Sequence, residues 1–261
     1  MLSYQHAYHA GNLADVHKHA LLAWILSYLT AKDKPLSYIE THAGRGLYDL
    51  GSAEAVKTGE AGQGIELVER LGWFRPDHSY LRVLAEVRAA HGARAYPGSP
   101  LIAARLLRDM DQATVAELHP QEFRALTEAM LPYPVRCRQA DGLQLALALT
   151  PPEPRRGLLL IDPSFEVKSD YETLPRLIAQ LHRKWNVGII ALWYPILADG
   201  RHKPMLADLE AANLAKVLRH EVHFPPAREG HGMVGSGMFL VNAPFGTEEE
   251  ARRLGKLFAK L

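Results

Sequence analysis

Gly157-Leu158-Leu159-Leu160-Ile161-Asp162-Pro163-Ser164-Phe165 is an unbroken apolar run closed by a carboxylate, a proline and an aromatic ring. A strand wetted on one side alternates polar and apolar residues; this one does not, so both of its faces must be covered. A second run of that kind, Val187-Gly188-Ile189-Ile190-Ala191-Leu192-Trp193, follows a helical stretch over 171–184. Two doubly covered strands joined through a helix make a parallel pair, because a parallel crossover needs a connection of that length. Outward from the pair, Leu36-Ser37-Tyr38-Ile39-Glu40, Thr114-Val115-Ala116-Glu117 and Val135-Arg136-Cys137-Arg138 read as three more strands. Runs around 217–224 and 238–242 supply two others, linked by the Pro- and Gly-rich loop 225–232. Helices are expected over 14–30, 80–90, 101–109, 121–130, 171–184, 205–214 and 248–261, the last capped by Thr247 ahead of three glutamates. Strands alternating with helices predict an α/β fold with a seven-stranded, mostly parallel sheet. The interval from Gly46 to Thr114 is far longer than one crossover helix needs, which predicts a helical insertion over 51–95 within a single domain.

The composition fits this reading and excludes several classes. The 261 residues are 48% hydrophobic and 23% charged, enough for a core of ordinary size. Thirty Lys and Arg against 29 Asp and Glu leave a net charge of +1, so charge neither supports nor excludes a nucleic-acid partner. The lone thiol, Cys137, sits in a strand as a core residue and has no internal disulfide partner, which suits a reducing, cytoplasmic setting. The apolar stretch 20–29 falls short of the ~20 residues a bilayer span needs, and no membrane association is expected. The closing Ala259-Lys260-Leu261 reads as the end of a helix rather than as a targeting tripeptide. Nothing calls for an obligate protein partner, and a monomer is the expectation.

Open α/β sheets bind ligands outside the carboxyl ends of their strands, where the strand order reverses. Two loops therefore carry the chemistry. After the first strand, Glu40-Thr41-His42-Ala43-Gly44-Arg45-Gly46 has two glycines that let the backbone approach a ligand, and lacks the third glycine of a dinucleotide fingerprint. After the fourth, Asp162-Pro163-Ser164-Phe165 places a carboxylate, a rigid turn and a ring at the mouth of the sheet. Such a set suits an aromatic amine: acceptors for its two N–H bonds favour the nucleophilic geometry and offset positive charge during attack. An Asp-Pro turn capped by a core phenylalanine accounts for the same residues. The histidines His6, His9, His17 and His19 invite a metal reading, but His17 and His19 do not share a helix face and no Cys or carboxylate set completes a shell, so no metal is expected.

The Asp162–Phe165 tetrapeptide resembles the [D/N/S]-P-P-[Y/F/W] motif of amino-methyltransferases. The N-terminal block Met1-Leu2-Ser3-Tyr4-Gln5-His6-Ala7-Tyr8-His9-Ala10-Gly11-Asn12-Leu13-Ala14-Asp15-Val16-His17-Lys18-His19 resembles the RlmJ family of 23S rRNA adenine-N6 methyltransferases. So do Asp33-Lys34-Pro35, Thr41-His42-Ala43-Gly44, Tyr96-Pro97-Gly98-Ser99-Pro100, Glu117-Leu118-His119-Pro120, Ala140-Asp141-Gly142, Ala191-Leu192-Trp193-Tyr194-Pro195 and Gly235-Ser236-Gly237-Met238, in the family's order. The resemblance implies a class I, Rossmann-like methyltransferase fold, S-adenosylmethionine as cofactor and 23S rRNA as partner. It implies cofactor contacts at His19, His42, Ser99, Glu117, Asp141, Gly142 and Asp162. It makes Asp162 the catalytic acceptor of the amine protons, with the Pro163 carbonyl as second acceptor and Phe165 as stacking ring, and brings Tyr4, His6 and Lys18 to the substrate adenine. Without it, Ser99 serves equally as a helix cap and Asp141-Gly142 as a turn. Ser164 departs from the family by replacing the second proline, which puts the rigidity of the loop in question. Two other readings stay open: a DNA adenine methyltransferase, since the motif is shared, and a non-catalytic nucleic-acid-binding relative, which Ser164 favours.

Overall fold

The computed structural model describes residues 5–227, 230 and 232–261; Tyr4 lies outside them. A 3-10 turn at His6–Tyr8 and helix α1 (Leu13–Thr30) precede the first strand, β1 (Ser37–Glu40). Strand β2 (Leu47–Asp49), helices α2 (Ala53–Thr58), α3 (Glu60–Gln63), α4 (Ile65–Arg70) and α5 (Ser79–His91), and strand β3 (Ala95–Pro97) follow. Helices and strands then alternate through α6 (Ser99–Leu106), β4 (Gln112–Glu117), α7 (Pro120–Met130), β5 (Val135–Gln139), α8 (Gly142–Leu149) and β6 (Gly157–Ile161). Next come α9 (Asp170–Lys184), β7 (Ile189–Leu197), α10 (Lys203–Ala211), β8 (Leu218–His223), β9 (Met233–Val241) and α11 (Thr247–Phe258).

Seven strands form one sheet in the order β5-β4-β1-β6-β7-β9-β8. The first five are mutually parallel, and β9 runs antiparallel to both of its neighbours. This is the class I methyltransferase sheet, with its order reversing between β1 and β6. Successive side chains of β6 and β7 point to opposite faces, as the period of two requires. Leu158, Leu160, Ile189 and Ala191 enter the core shared with α1, α5, α6 and α11; Leu159, Ile161, Ile190 and Leu192 enter the one shared with α9 and α10. Ile65, Val68, Trp73, Phe74, Tyr80, Val83, Leu84 and Val87, from the segment between β2 and β3, belong to the first of these cores.

Several expectations need correcting. Helix α8 was not anticipated, because Gly142-Leu143-Gln144-Leu145-Ala146-Leu147-Ala148-Leu149 is apolar with little helical periodicity. The antiparallel pair β2–β3 is too short to carry a pattern. Gly246, in the left-handed region at φ 85°, precedes α11 in place of Thr247, whose hydroxyl donates to the Pro244 carbonyl. That helix ends at Phe258, so the final three residues lie beyond it. Cys137 is half-buried rather than a core thiol.

α1 starts at Asn12, whose side chain accepts the Asp15 N–H. Its following turns bury Asp15, His17, Lys18 and His19. Buried polar groups are tolerated only when they are hydrogen-bonded, and the partners of these four define the site.

Candidate active site

The loops leaving β1, β4, β6 and β7 surround a cleft of about 750 Å³, within the usual range for small-molecule sites. α1 supplies its floor. The Lys18 ammonium lies 2.6 Å from Asp162 Oδ2 and 3.1 Å from Asp15 Oδ1, so one buried cation bridges two carboxylates. Burial by itself lowers a lysine, but Asp162 and then Asp15 outweigh it and raise Lys18 above its ordinary value. Asp15 also accepts the Gly11 N–H at 2.9 Å and lies 2.9 Å from His6 Nε2. Burial raises that carboxyl, yet His6 and Lys18 together hold it well below the aspartate norm. His19 Nδ1 is 2.9 Å from the Tyr96 hydroxyl, which bonds the Tyr80 hydroxyl. Burial pushes the His19 ring down to about 3, so it is neutral.

On the β1 side of the cleft, Gly44 and Gly46 take φ values of 57° and 75°, the left-handed turn that glycine adopts without penalty. The turn delivers the Gly44 N–H to Glu117 Oε2 at 2.9 Å, while the His119 N–H binds Oε1 at 2.7 Å. Burial raises the Glu117 carboxyl, against the pull of those two bonds. Each of its oxygens keeps acceptor capacity for a ligand hydroxyl. His42 lines the same wall with Nδ1 2.7 Å from the Thr41 hydroxyl, and burial lowers its ring against the pull of Asp162 and Asp141.

Phe165 closes the turn after β6 at φ 56°, a conformation rare for a bulky residue and retained where surroundings enforce it. Its ring packs 4.7 Å from Tyr171 and 6.2 Å from Trp193.

Of the residues singled out in the sequence, His6, Lys18, His19, His42, Ser99, Glu117, Asp162, Pro163 and Phe165 line this one cleft. Ser99 is buried with its hydroxyl on Glu40, so the capping alternative fails; Gly98 precedes α6. Asp141 and Gly142 stand outside the lining. Asp141 is exposed and caps α8 through the Leu143 and Gln144 N–H groups. A Cβ at Gly142 would lie 1.8 Å from the Thr41 carbonyl oxygen, so α8 abuts the β1 loop there. His17 and His19 reach different partners across α1.

Sequence reasoning missed Asp15, Glu40 and Trp193. Only the spacing of Asp15 and Lys18, three apart on one helix, offered a signal. Glu40 is fully buried between the Tyr38 and Ser99 hydroxyls, and burial, against those two bonds, pushes it up to about 8. Its native carboxyl thus holds a proton that the unfolded chain, titrating near 4.5, has lost. The sign follows from linkage: stability is fully present below 4.5 and falls as pH rises through about 8. Glu40→Gln is expected to flatten that decline, by about 1 kcal/mol per pH unit in urea unfolding. Parallel curves for the two proteins across the window would refute the neutral carboxyl.

A family model described as "Ribosomal RNA large subunit methyltransferase D, RlmJ" matches residues 33–261. The Escherichia coli (strain K12) protein named ribosomal RNA large subunit methyltransferase J is 41% identical over 256 residues, covering 96% of this chain and 90% of its own. Its Haemophilus influenzae namesake is 37% identical over 263 residues, with 97% and 92% covered. The crystal structure of protein LPL1258 from Legionella pneumophila superposes with a TM-score of 0.86 at 34% identity, over 97% of this chain and 93% of that one. The chain belongs to the RlmJ family.

Proposed function

We propose that this enzyme methylates the exocyclic N6 of an adenine in 23S rRNA, using S-adenosylmethionine. One observation carries the reading. The Asp162–Phe165 turn opens onto the same cleft as Glu117 and the Gly44 loop, so an amine-binding end and a nucleoside-binding end share one space.

The residues present fit the cofactor: Glu117 offers acceptors for ribose hydroxyls, and the Gly44 turn permits close backbone approach. Bound there, S-adenosylmethionine would supply an electrophilic methyl group, its sulfur–methyl bond breaking with the electron pair left on sulfur as a neutral thioether. Lys18 holds Asp162 through Oδ2, which leaves Oδ1 to accept an N6 proton of the adenine. The Pro163 carbonyl takes the other N–H, and the nitrogen lone pair turns toward the methyl group. Positive charge developing on N6 is offset by Asp162, which holds the departing proton at Oδ1. Phe165 stacks on a base drawn out of the RNA. No step needs a covalent enzyme intermediate, and Cys137 lies in β5, outside the cleft lining.

Mass spectrometry of 23S rRNA from cells lacking the protein is expected to show the loss of one N6-methyladenine. Purified enzyme should methylate protein-free 23S rRNA and leave duplex DNA unmodified. Unchanged rRNA, or preference for DNA, overturns the assignment.

The helical segment 51–95 is our proposed RNA-recognition element. Its apolar residues belong to the main core, so deletion would unfold the protein; the test lies with its exposed cations. Lys57 is exposed, with its ammonium 5.8 Å from the Tyr8 ring, and Arg70 is exposed on α4. Changing both to Glu is expected to weaken RNA binding and to reduce its salt slope by about 1 for each phosphate left without its cation. Cofactor affinity should not change, and an equal loss for both ligands would count against the element.

Among the described residues, no helix is long and apolar enough to cross a membrane.

A further inference from the structure

The block Gly235-Ser236-Gly237 in β9, His17 in α1 and Trp193 in β7 take no part in the chemistry above, yet they are bonded to one another. Ser236 is fully buried. Its Oγ lies 2.9 Å from Trp193 Nε1 and 2.9 Å from His17 Nδ1. His17 Nε2 is in turn 2.9 Å from His220 Nδ1 on β8. An indole N–H can only donate, so Ser236 accepts from Trp193. A neutral imidazole has one donor and one acceptor, so His17 engages Ser236 with one nitrogen and His220 with the other. Burial keeps His17 neutral, helped by its histidine neighbour. The packing is equally specific: a Cβ at Gly237 would lie 2.1 Å from the Tyr194 ring, so Tyr194 fills the far side of β9 while Ser236 faces α1.

The chain of bonds ends on a ring in the cleft. Trp193 is half-buried and lines it. The indole stands 6.2 Å from Phe165 at an interplanar angle of 60°, which makes a corner of two aromatic walls. The Lys18 ammonium lies 5.5 Å from the indole centroid, a cation–π distance, so the ring is registered against the Lys18–Asp162 pair as well. A planar base whose amine reaches Asp162 meets both walls: one ring takes its face and the other limits its slide.

We propose that Trp193 is the second wall of the slot for the target adenine, and that Ser236, backed by His17 and His220, is the positioning residue that fixes its indole. The proposal rests on the adenine-methyltransferase reading and adds a specificity element to it. Ser236→Ala removes only a hydroxyl, yet it leaves the half-buried Trp193 without its indole acceptor and a buried imidazole nitrogen unpaired. Each such loss has a cost large enough to displace the ring.

The test uses full-length protein labelled with 5-fluorotryptophan. The four tryptophans give resolvable fluorine signals, and Trp193→Phe identifies its own by loss. Adenosine is expected to shift the Trp193 signal of the wild-type protein, and Ser236→Ala to move or broaden it without ligand. Single-turnover methyl transfer to an rRNA fragment should fall about tenfold in Ser236→Ala, the scale of one unsatisfied buried donor. The calorimetric dissociation constant for S-adenosylmethionine should stay within about twofold, because the cofactor end is untouched. In a Trp193→Phe background, Ser236→Ala should add less than about twofold, since it acts through the indole. A Trp193 signal insensitive to adenosine overturns the wall, and a full Ser236→Ala effect in that background overturns the positioning role. Should rRNA not be methylated at all, the functional reading falls, while the adenosine shift, which needs no turnover and no Ser236 variant, still decides the slot.

Discussion

Asp162→Ala is expected to slow methyl transfer by ~10²–10³ while the protein stays folded. The side chain is the acid at the carboxyl end of β6, held there by Lys18, and its loss removes the proposed acceptor for the amine proton. Removing a single preorganised group that stabilises developing charge costs ~10²–10³ in rate, and a defect of that size is expected in single-turnover assays. The fold should survive because Lys18 keeps Asp15, 3.1 Å away, as counter-charge. Asp162→Asn retains one acceptor oxygen and matches the asparagine form of the motif, so its defect should be smaller. Turnover within about tenfold of wild type for the alanine variant would remove Asp162 from the mechanism.

Asp15→Ala should instead strike stability. Asp15 is buried and serves Lys18, His6 and the Gly11 N–H at once. Without it, Lys18 keeps only Asp162, and a backbone donor loses its acceptor. Breaking a buried pair from one side costs ~3–5 kcal/mol, which should appear as a lower urea midpoint with an unchanged slope. The pH dependence has a definite sign. The folded Asp15 carboxyl titrates below 3.8, so its contribution is complete above that value and disappears as pH falls through the lower folded value. In the variant, the acid limb of the stability curve should flatten. A loss under about 1 kcal/mol would mean that the three partners find other acceptors.

The core of the fold was legible because β6 and β7 are buried on both faces and their sequences show it without interruption. The position of Asp162 followed from where such a strand must end. α8 was hidden by the same physics, since its apolar residues show little helical period and its cap, Asp141-Gly142, also spells a turn. The cleft floor was harder. Aspartate, lysine and histidine inside a helix ordinarily mark its wet side, whereas α1 buries all of them. Lys18 was singled out only through family resemblance, and Asp15 was not singled out, because the reason for burying either is the other and Asp162, which lies 144 residues further along the chain.

α1 precedes every strand of the sheet in the sequence, yet some of the groups that hold it lie in β9 and α11, more than two hundred residues away. His17 waits for Ser236, 219 residues downstream, and for the Phe258 ring of α11. A chain cut after β7 would carry the loops after β1, β4 and β6 and still leave His17 without its serine and phenylalanine partners. The floor of the cleft is thus finished by a pairing that spans 219 residues of chain, a non-local closure of the kind that forms late in folding.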